Sequence, residues 1–588
     1  MSENNGVELQ SIVGSSYEGK FKVVSPEITL NMFVEPINSD NEGYSSKILK
    51  SIDGNEAVLY FGKNSASSEN DPSFEFGVGC RGLYTSSSGP EGNPCLYAVF
   101  DKNLWRIKQN MKADSCVRVG GIEAVKQPIR FAESGGVNSQ LCMAYGQTNT
   151  LVCGTLDSDS EVHLQVIANP INPYNPNNQN ENPDKNVTSC RSTHIVEMKG
   201  RIIINDADYG QVFISRVGAF QGGMIKVYDL DQDEKIQYEE DGYTPLYKDV
   251  PANEWGWKDD RGSYMFYTPL ADTGDRVLAM ECINNGTLFV FGERSYAVLT
   301  MDDNSEYQLK NTLMGNNIGI AAPQSLAKTE NELCWLGSGD DGHNGIWCVA
   351  LDGKPRKIST FALDREIQAM SHTEDAFGFG YNYAGHHFYV ITFPTADKTF
   401  VYDFDTNGWH NRSTRDELLD IDHFWFPVFA HQFNGQVYLG NYEKNCLMKV
   451  VANKHTEWDG RPIRRLRRTP IIVSELTNFI VNEFRIECNV GTTPYENPFD
   501  DMEVDHTGKV PQEAGYNPAI MGRFSPDGGN TWNDLNDAFM GKTGQYDYLC
   551  QFLGLGMARL GVIEVSMTAP VDLVITNSKI RYTRTRGF

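Results

Sequence analysis

Between residues 96 and 450 the chain repeats one unit at intervals of about 45–55 residues: an aromatic and β-branched run, a tight turn built on Gly, Asn or Asp, and a second such run. The clearest copies are LYAVFDKNLWRI (96–107), HIVEMKGRIIIND (194–206), GTLFVFGERSYAVL (286–299), HHFYVITFPTADKTFVYDFDTNGW (386–409) and FNGQVYLGNYEKNCLMKV (433–450). Lys199-Gly200, Asn407-Gly408 and Asn434-Gly435 supply the positive φ that tight turns of a right-twisted hairpin demand. The alternation of Phe388, Val390 and Thr392 marks period-two strands rather than a helix. Hairpin onsets near residues 96, 141, 194, 286, 333, 387 and 433 predict a radial array of about seven β-blades, a propeller. The step from 194 to 286 is about two blades wide, which requires either a hidden blade or an inserted subdomain.

At 588 residues the chain is longer than one ordinary core can serve, and the repeat absorbs most of that length. A content of 11% aromatic residues and 54 Gly, with no apolar run approaching the length of a membrane helix, fits an all-β protein with no membrane span. The start, MSENNGVELQSIVGSSYEGK, lacks the basic and apolar regions of a secretion signal, so the 12 cysteines are expected to be reduced thiols. Cys334, Cys348 and Cys446, inside strand runs, read as small core residues. The net charge of −26 argues against a generic nucleic-acid binder, because phosphate contacts need a basic footprint. From residue 461 onward basic and acidic residues nearly balance, so the excess negative charge belongs to the repeat region.

These features divide the chain into a flexible arm (1–20), a propeller (21–460) interrupted near 66–77, 156–190 and 230–275, and a C-terminal β-sandwich-like docking domain (461–588). FKVVSPEITLNMFVEP is the candidate first strand, closing the ring against the last blade. The Asn- and Pro-rich stretch 168–186 reads as a long exposed loop. RPIRRLRRTP (461–470) is the expected hinge; its Arg461, Arg464, Arg465, Arg467 and Arg468 are interface candidates, since the planar guanidinium pairs carboxylates bidentately.

Ser525, Asp527, Gly529, Thr531 and Trp532 complete one Asp-box pattern, S-x-D-x-G-x-T-W, a structural turn in which the carboxylate binds backbone amides. Asp boxes are frequent in sialidase-like propellers, but one copy outside the blades supports no glycosidase assignment. Asp229, Asp231, Asp233 and Glu240 occupy calcium-loop positions, yet Glu234 stands where that loop needs Gly and the preceding residues read as strand, which favours a solvated acidic loop. His386 and His387 point to opposite faces of a strand, and H-E-x-x-H and G-x-S-x-G do not occur. The expectation is a protein that is not an enzyme and binds no cofactor.

In order along the chain, NMFVEP (31–36), RGLY (81–84), LYAVFDKNLWRI, GTLFVFGERSYAVL with GIAAPQSLAKTENELCWLG (319–337), and FVYDFDTNGWHNRS (400–413) resemble the tail nozzle, or packaged-DNA stabilisation, proteins of short-tailed double-stranded DNA phages. FSPDGGNTW and GMARLGVIEVSMTAPVDLVITNSKIRYT are similar to that family's closing sandwich. The resemblance implies a virion tail protein, assembled in the host cytoplasm as a homohexamer. The ring would attach to a tail adaptor ring, neighbour tail fibres or tailspikes, close the channel after packaging and conduct DNA without sequence-specific binding. A glycan-binding or sialidase-like propeller is the alternative from another class, and a monomeric kelch-type scaffold a third.

Overall fold

The computed structural model describes the chain outside residues 1–4, 9–11, 19–26, 38–46, 64, 69–78, 88, 90–92, 123–126, 135–138, 155–163, 172–188, 221, 303–308, 317, 330, 340–341, 417, 475–476, 495–515 and 586–588. Most of it is a seven-bladed β-propeller. The blades begin with the strands Cys80–Ser86, Arg130–Glu133, Ile195–Met198, Ala279–Asn284, Ala327–Lys328, Phe377–Tyr383 and Pro427–Phe433, here numbered blades 1 to 7. Each first strand lies beside the first strand of the next blade, and that of blade 7 lies beside that of blade 1, so the ring closes.

Period-two alternation explains why the repeats read as nearly unbroken apolar runs. Along Cys95–Phe100, the second strand of blade 1, Leu96, Ala98 and Phe100 enter the apolar cluster shared with blade 7. Cys95, Tyr97 and Val99 enter the cluster shared with blade 2. Both faces are thus buried, as stacked sheets require, and every neighbouring pair of blades shares one such cluster. Two of the three turns carry the expected chemistry: φ is 49° at Lys199 and 79° at Gly200, and 50° at Asn434 and 71° at Gly435, whereas in the third Asn407 alone is positive, at 53°, and Gly408 is not.

The wide step between residues 194 and 286 is an insertion rather than a hidden blade. Blade 3 pairs Val212–Ile214 with Phe266–Tyr267, and between them the hairpin Met224–Tyr228/Tyr247–Pro251 forms its own two-stranded sheet, so the insertion lies between Ile214 and Phe266 rather than at the expected 230–275, part of which belongs to the blade. The segment 168–186 lies mostly outside the described residues; its described start, through Ile171, bridges to Ser189 after the outermost strand of blade 2.

Three expectations need correction. The ring is closed by Asn55–Phe61, the outer strand of blade 7, which pairs antiparallel with Cys446–Val450 and buries Leu59 and Phe61. The earlier candidate serves the sandwich instead. Ile28–Leu30 pairs with Arg465–Arg468, and Met32–Pro36 pairs with Lys47–Ser51. Second, residues 461–470 are not a hinge. Arg465–Arg468 is an interior strand of a sheet running continuously from blade 6 through Gly408–Asp416, Ile28–Leu30, Arg465–Arg468 and Val562–Met567 to Ala519–Ser525. The facing sheet comprises Met32–Pro36, Lys47–Ser51, Val574–Arg584, Phe479–Cys488 and Cys550–Ala558, with Asn5–Glu8 also paired to Val574–Arg584. Segments from both ends of the sequence therefore build the sandwich, and the stretch expected as a flexible arm (1–20) is packed into it: Asn5–Glu8 is a paired strand, Ser16 bridges to Trp409, and Ile12 sits in the core with Met32, Val34 and Leu49 beside Phe484 and Ile575. Third, Cys334 and Cys348 are not free thiols. They occupy directly paired positions on adjacent strands of blade 5 and are joined by a disulfide. Cys446 is a buried free thiol.

Candidate functional site

The first strands of all seven blades line a central channel of about 680 Å³. Its wall mixes charges, with Glu133, Glu197 and Glu281 facing Arg130 and Lys328. Arg130 of blade 2 reaches across the axis to blade 5, where its Nη2 donates to the carbonyl oxygens of Leu326 (3.1 Å) and Gln324 (3.3 Å) and to Gln324 Oε1 (3.3 Å). Glu133 accepts from Ser86 Oγ (3.0 Å), Ser139 Oγ (3.1 Å) and Tyr84 OH (3.4 Å), so its carboxylate is tied into the wall. Burial lifts the carboxyls of Glu197 and Glu281 above the usual range and pushes His431 down to about 4, which leaves that imidazole neutral. A duplex whose major groove alone is about 12 Å wide cannot pass a space of this size crossed by a side chain. A sialidase would need clustered arginines to hold a substrate carboxylate; among the described residues lining this channel, Arg130 is the arginine, and its guanidinium is engaged by carbonyl groups. The sequence does not reveal the channel residues, because single glutamates within short strands look like ordinary solvent-facing positions.

The five arginines separate into two classes. Arg465 and Arg467 are interior, at 0% and 1% exposure. Arg465 Nη1 donates to the Val571 carbonyl at 2.8 Å and its Nη2 to that of Ala569, and burial brings its pKa down to about 10. Arg467 donates to the carbonyl groups of Ile12 (2.6 Å) and Ser15 (3.1 Å) and to Thr29 Oγ1 (2.8 Å). Both bind the N-terminal segment or the sandwich from within, so the expectation that they face another subunit does not hold. The others pair within the chain: Arg461 with Asp459 (2.6 Å), Arg464 with Asp422 (2.9 Å) and Arg468 with Glu564 (2.6 Å).

The Asp-box residues form one turn. Asp527 Oδ1 accepts from Ser525 Oγ (2.8 Å) and the Thr531 amide (2.8 Å), while Oδ2 accepts from Thr531 Oγ1 (2.7 Å). These bonds, the Thr531 amide first, hold the carboxyl down at about 2. The Gly529 amide donates to Ser525 Oγ (2.8 Å), and Trp532 Nε1 donates to the Gly529 carbonyl (3.1 Å). Arg468 and Arg523 lie over the Trp532 ring, 4.9 and 5.1 Å from its centroid.

The calcium-loop candidates fall on the tip of the inserted hairpin and are not gathered around one point. Asp229 pairs with Lys248 (3.6 Å) and Asp233 with Lys235 (3.6 Å). Asp231 Oδ1 accepts from the amides of Asp233 and Lys235 (both 2.9 Å), which makes it a turn cap, and Glu240 is exposed. Among the described residues, groups of three metal-ligand types occur elsewhere, at Glu332, Cys334 and Cys348 and at His386, Asp403 and Asp405. In the second group His386 Nδ1 is bonded to Asp403 (2.9 Å), whereas His387, on the opposite face, bonds Asp405 (3.0 Å).

Residues 264–450 match the model of a family described as Bacteriophage P22 Gp10, beta-propeller. This part of the chain is similar to a phage propeller family. In the structure the match runs from the last strand of blade 3 through blades 4, 5 and 6 to the third strand of blade 7. No curated protein matches the chain. Among solved structures, the N-terminal domain of Nup159 is 9% identical, with a TM-score of 0.30 over 71% of this chain and 97% of that one. BamB from Moraxella catarrhalis is 9% identical, with a TM-score of 0.28 over 68% and 98%. The WD40 domain of Neurospora crassa Pan2 is 7% identical, with a TM-score of 0.26 over 76% and 97%. Among the described residues no helix is long and apolar enough to cross a membrane.

Proposed function

We propose that the chain is a structural nozzle protein of a short-tailed double-stranded DNA phage. It acts without catalysis and without a cofactor, six copies forming a ring at the distal end of the tail that holds the packaged genome and then conducts it. The observation that carries this reading is the match of residues 264–450 to a phage propeller family, seated within a propeller fused to a sandwich. The ring would be made in the host cytoplasm, bind a tail adaptor ring and neighbour fibres or tailspikes. Because Arg130 crosses the propeller axis, the DNA path in this reading is the space enclosed by the six copies, not the channel of each propeller. Six copies at −26 each present roughly −156, and like charge keeps a polyanion from adhering during transit, whereas a basic wall would bind it by counterion release. Native mass measurement tests the proposal: an assembly of roughly 395 kDa is expected from a 65.9 kDa chain. A protein that remains a monomer even with the other tail proteins present would defeat it.

A further inference from the structure

The inserted hairpin of blade 3 is an exposed arm. Met224, Tyr238 and Tyr247 are exposed, and Tyr243 is 89% exposed. Between Met224 and Pro251 the sequence places eight carboxylates against three lysines. The arm is nevertheless ordered: Asp229 N donates to the Leu246 carbonyl (2.8 Å), Leu246 N to that of Gln237 (2.8 Å) and Gln237 N to that of Asp229 (2.9 Å). Tyr228 and Tyr247 stack at 5.2 Å. A two-stranded ribbon is marginal alone, and rigid tyrosines offer large contact area at little entropic cost. An arm of this kind is built to be covered.

The surface that complements it lies on the outer face of the sandwich sheet containing Val574–Arg584, Phe479–Cys488 and Cys550–Ala558. Cross-strand register puts Thr583, Ile480 and Met557 in one row, Arg581, Glu483 and Leu553 in the next, and Lys579, Arg485 and Gln551 in the third. Glu483 lies beneath Arg485 and Arg581 and pairs with both, and Lys579 stands opposite Arg485, so this face gathers three cations against the carboxylates of Glu483 and Glu487 on a chain whose net charge is −26. Beside them Ile480, Leu553 and Met557 are exposed, Leu553 to 64%. Among the described residues Cys550–Ala558 is paired on one side only. Its bulge, with φ of 66° at Gly554 and 113° at Gly556, interrupts the straight edge that an added strand needs, so side chains rather than a backbone ladder would do the binding.

We infer that the 224–251 arm of one copy docks on this face of a second copy, tyrosine rings over the Ile480, Leu553 and Met557 edge and arm carboxylates toward Arg485, Lys579 and Arg581. The opposite charges of the two surfaces select a second copy as the occupant. Because arm and face are different surfaces, the contact is head-to-tail and propagates around a ring. This inference rests on the proposed self-assembly, and the test separates the two. Full-length Tyr243→Cys and Leu553→Cys proteins are mixed under mild oxidation, with wild type as background. Oligomer mass is measured in parallel for wild type, for K579E/R581E, for D231K/E239K and for the two charge variants mixed. Expected are covalent dimers in the mixed sample at least tenfold above either variant alone, at least tenfold weaker assembly for each charge variant, and recovery when the two are mixed. Wild-type rings with no cross-linking and no effect of charge reversal would overturn the docking contact and leave the ring standing. Cross-linking in a wild type that never forms rings would keep the contact and sink the ring. Neither rings nor cross-links would overturn both.

Discussion

The propeller and the sandwich are both antiparallel β structures, yet they are built from opposite kinds of contact. In blades 1, 2, 4 and 6 each strand pairs with its neighbour in sequence, and the shared clusters join blades adjacent along the chain. The sandwich joins segments more than 500 residues apart: Asn5–Glu8 lies against Val574–Arg584, and the Ile12 amide donates to Ser578 Oγ at 3.1 Å. Local pairs close small loops at little entropic cost, whereas the sandwich has to wait until both ends are present. Charge follows the same division, with the acidic excess on the propeller and interior arginines holding the sandwich. The difference teaches that a blade is specified within a short window of sequence, whereas the sandwich is a clasp that holds two distant segments together.

The largest effect should come from cutting the clasp unevenly. Removing residues 461–588 leaves Ile28–Leu30 and Met32–Pro36 without their C-terminal supports and exposes Ile12, Met32, Val34 and Leu49. That fragment is expected to aggregate, and removal of residues 1–51 as well is expected to restore a soluble propeller on size-exclusion chromatography. A soluble, monomeric 1–460 fragment would show that the two regions are independent. Next in size, Arg465→Ala strips the donors from two interior carbonyl groups, each about 1–3 kcal/mol, and leaves a cavity; a loss of about 3–5 kcal/mol in urea denaturation is expected. Arg461→Ala, at a partly exposed ion pair, should cost no more than about 1 kcal/mol. Equal losses at the two positions would erase the distinction between interior and peripheral arginines.

The junction of the two regions should respond to pH. Glu457 is buried, accepts from Asn55 Nδ2 of the ring-closing strand at 2.6 Å, and has its carboxyl pushed up to about 7, chiefly by burial. Its folded pKa lies above the ordinary value of 4.5. The unfolded chain therefore releases this proton first, stability falls as pH rises from about 4.5 to 7, and it is level above that. Glu457→Gln is expected to be neutral at pH 4 and to stabilise at pH 8 by up to about 2–3 kcal/mol. A variant effect that does not change between these two pH values would rule this linkage out. The smallest effect concerns chemistry inside one blade. Alkylation of the denatured, unreduced protein should label ten cysteines rather than 12, since Cys334 and Cys348 are joined. Twelve labels would return blade 5 to the reduced state expected from composition.

Much of the propeller was legible because its determinants are local. Alternation along residues 96–107, the Lys199-Gly200 and Asn434-Gly435 turns and the spacing of seven onsets are each contained within a short window, and each corresponds to a blade. The Asp box was legible for the same reason: its bonds span four residues. The channel was not, since Arg130, Glu197, Glu281 and Lys328 converge only when seven separate strands meet on one axis.

By itself, then, the sequence determined the all-β class, the hairpin repeat and the acidic excess of the repeat region, because strand period, turn geometry and composition act over short distances. Tertiary structure alone decided that Asn55–Phe61 closes the ring, that Ile28–Leu30 enters the sandwich, and that Arg465 and Arg467 turn inward. Those outcomes depend on which distant strand supplies a matching register and which interior carbonyl groups still need donors. A buried guanidinium is tolerated only where such carbonyls converge around it, and no window of sequence contains both partners.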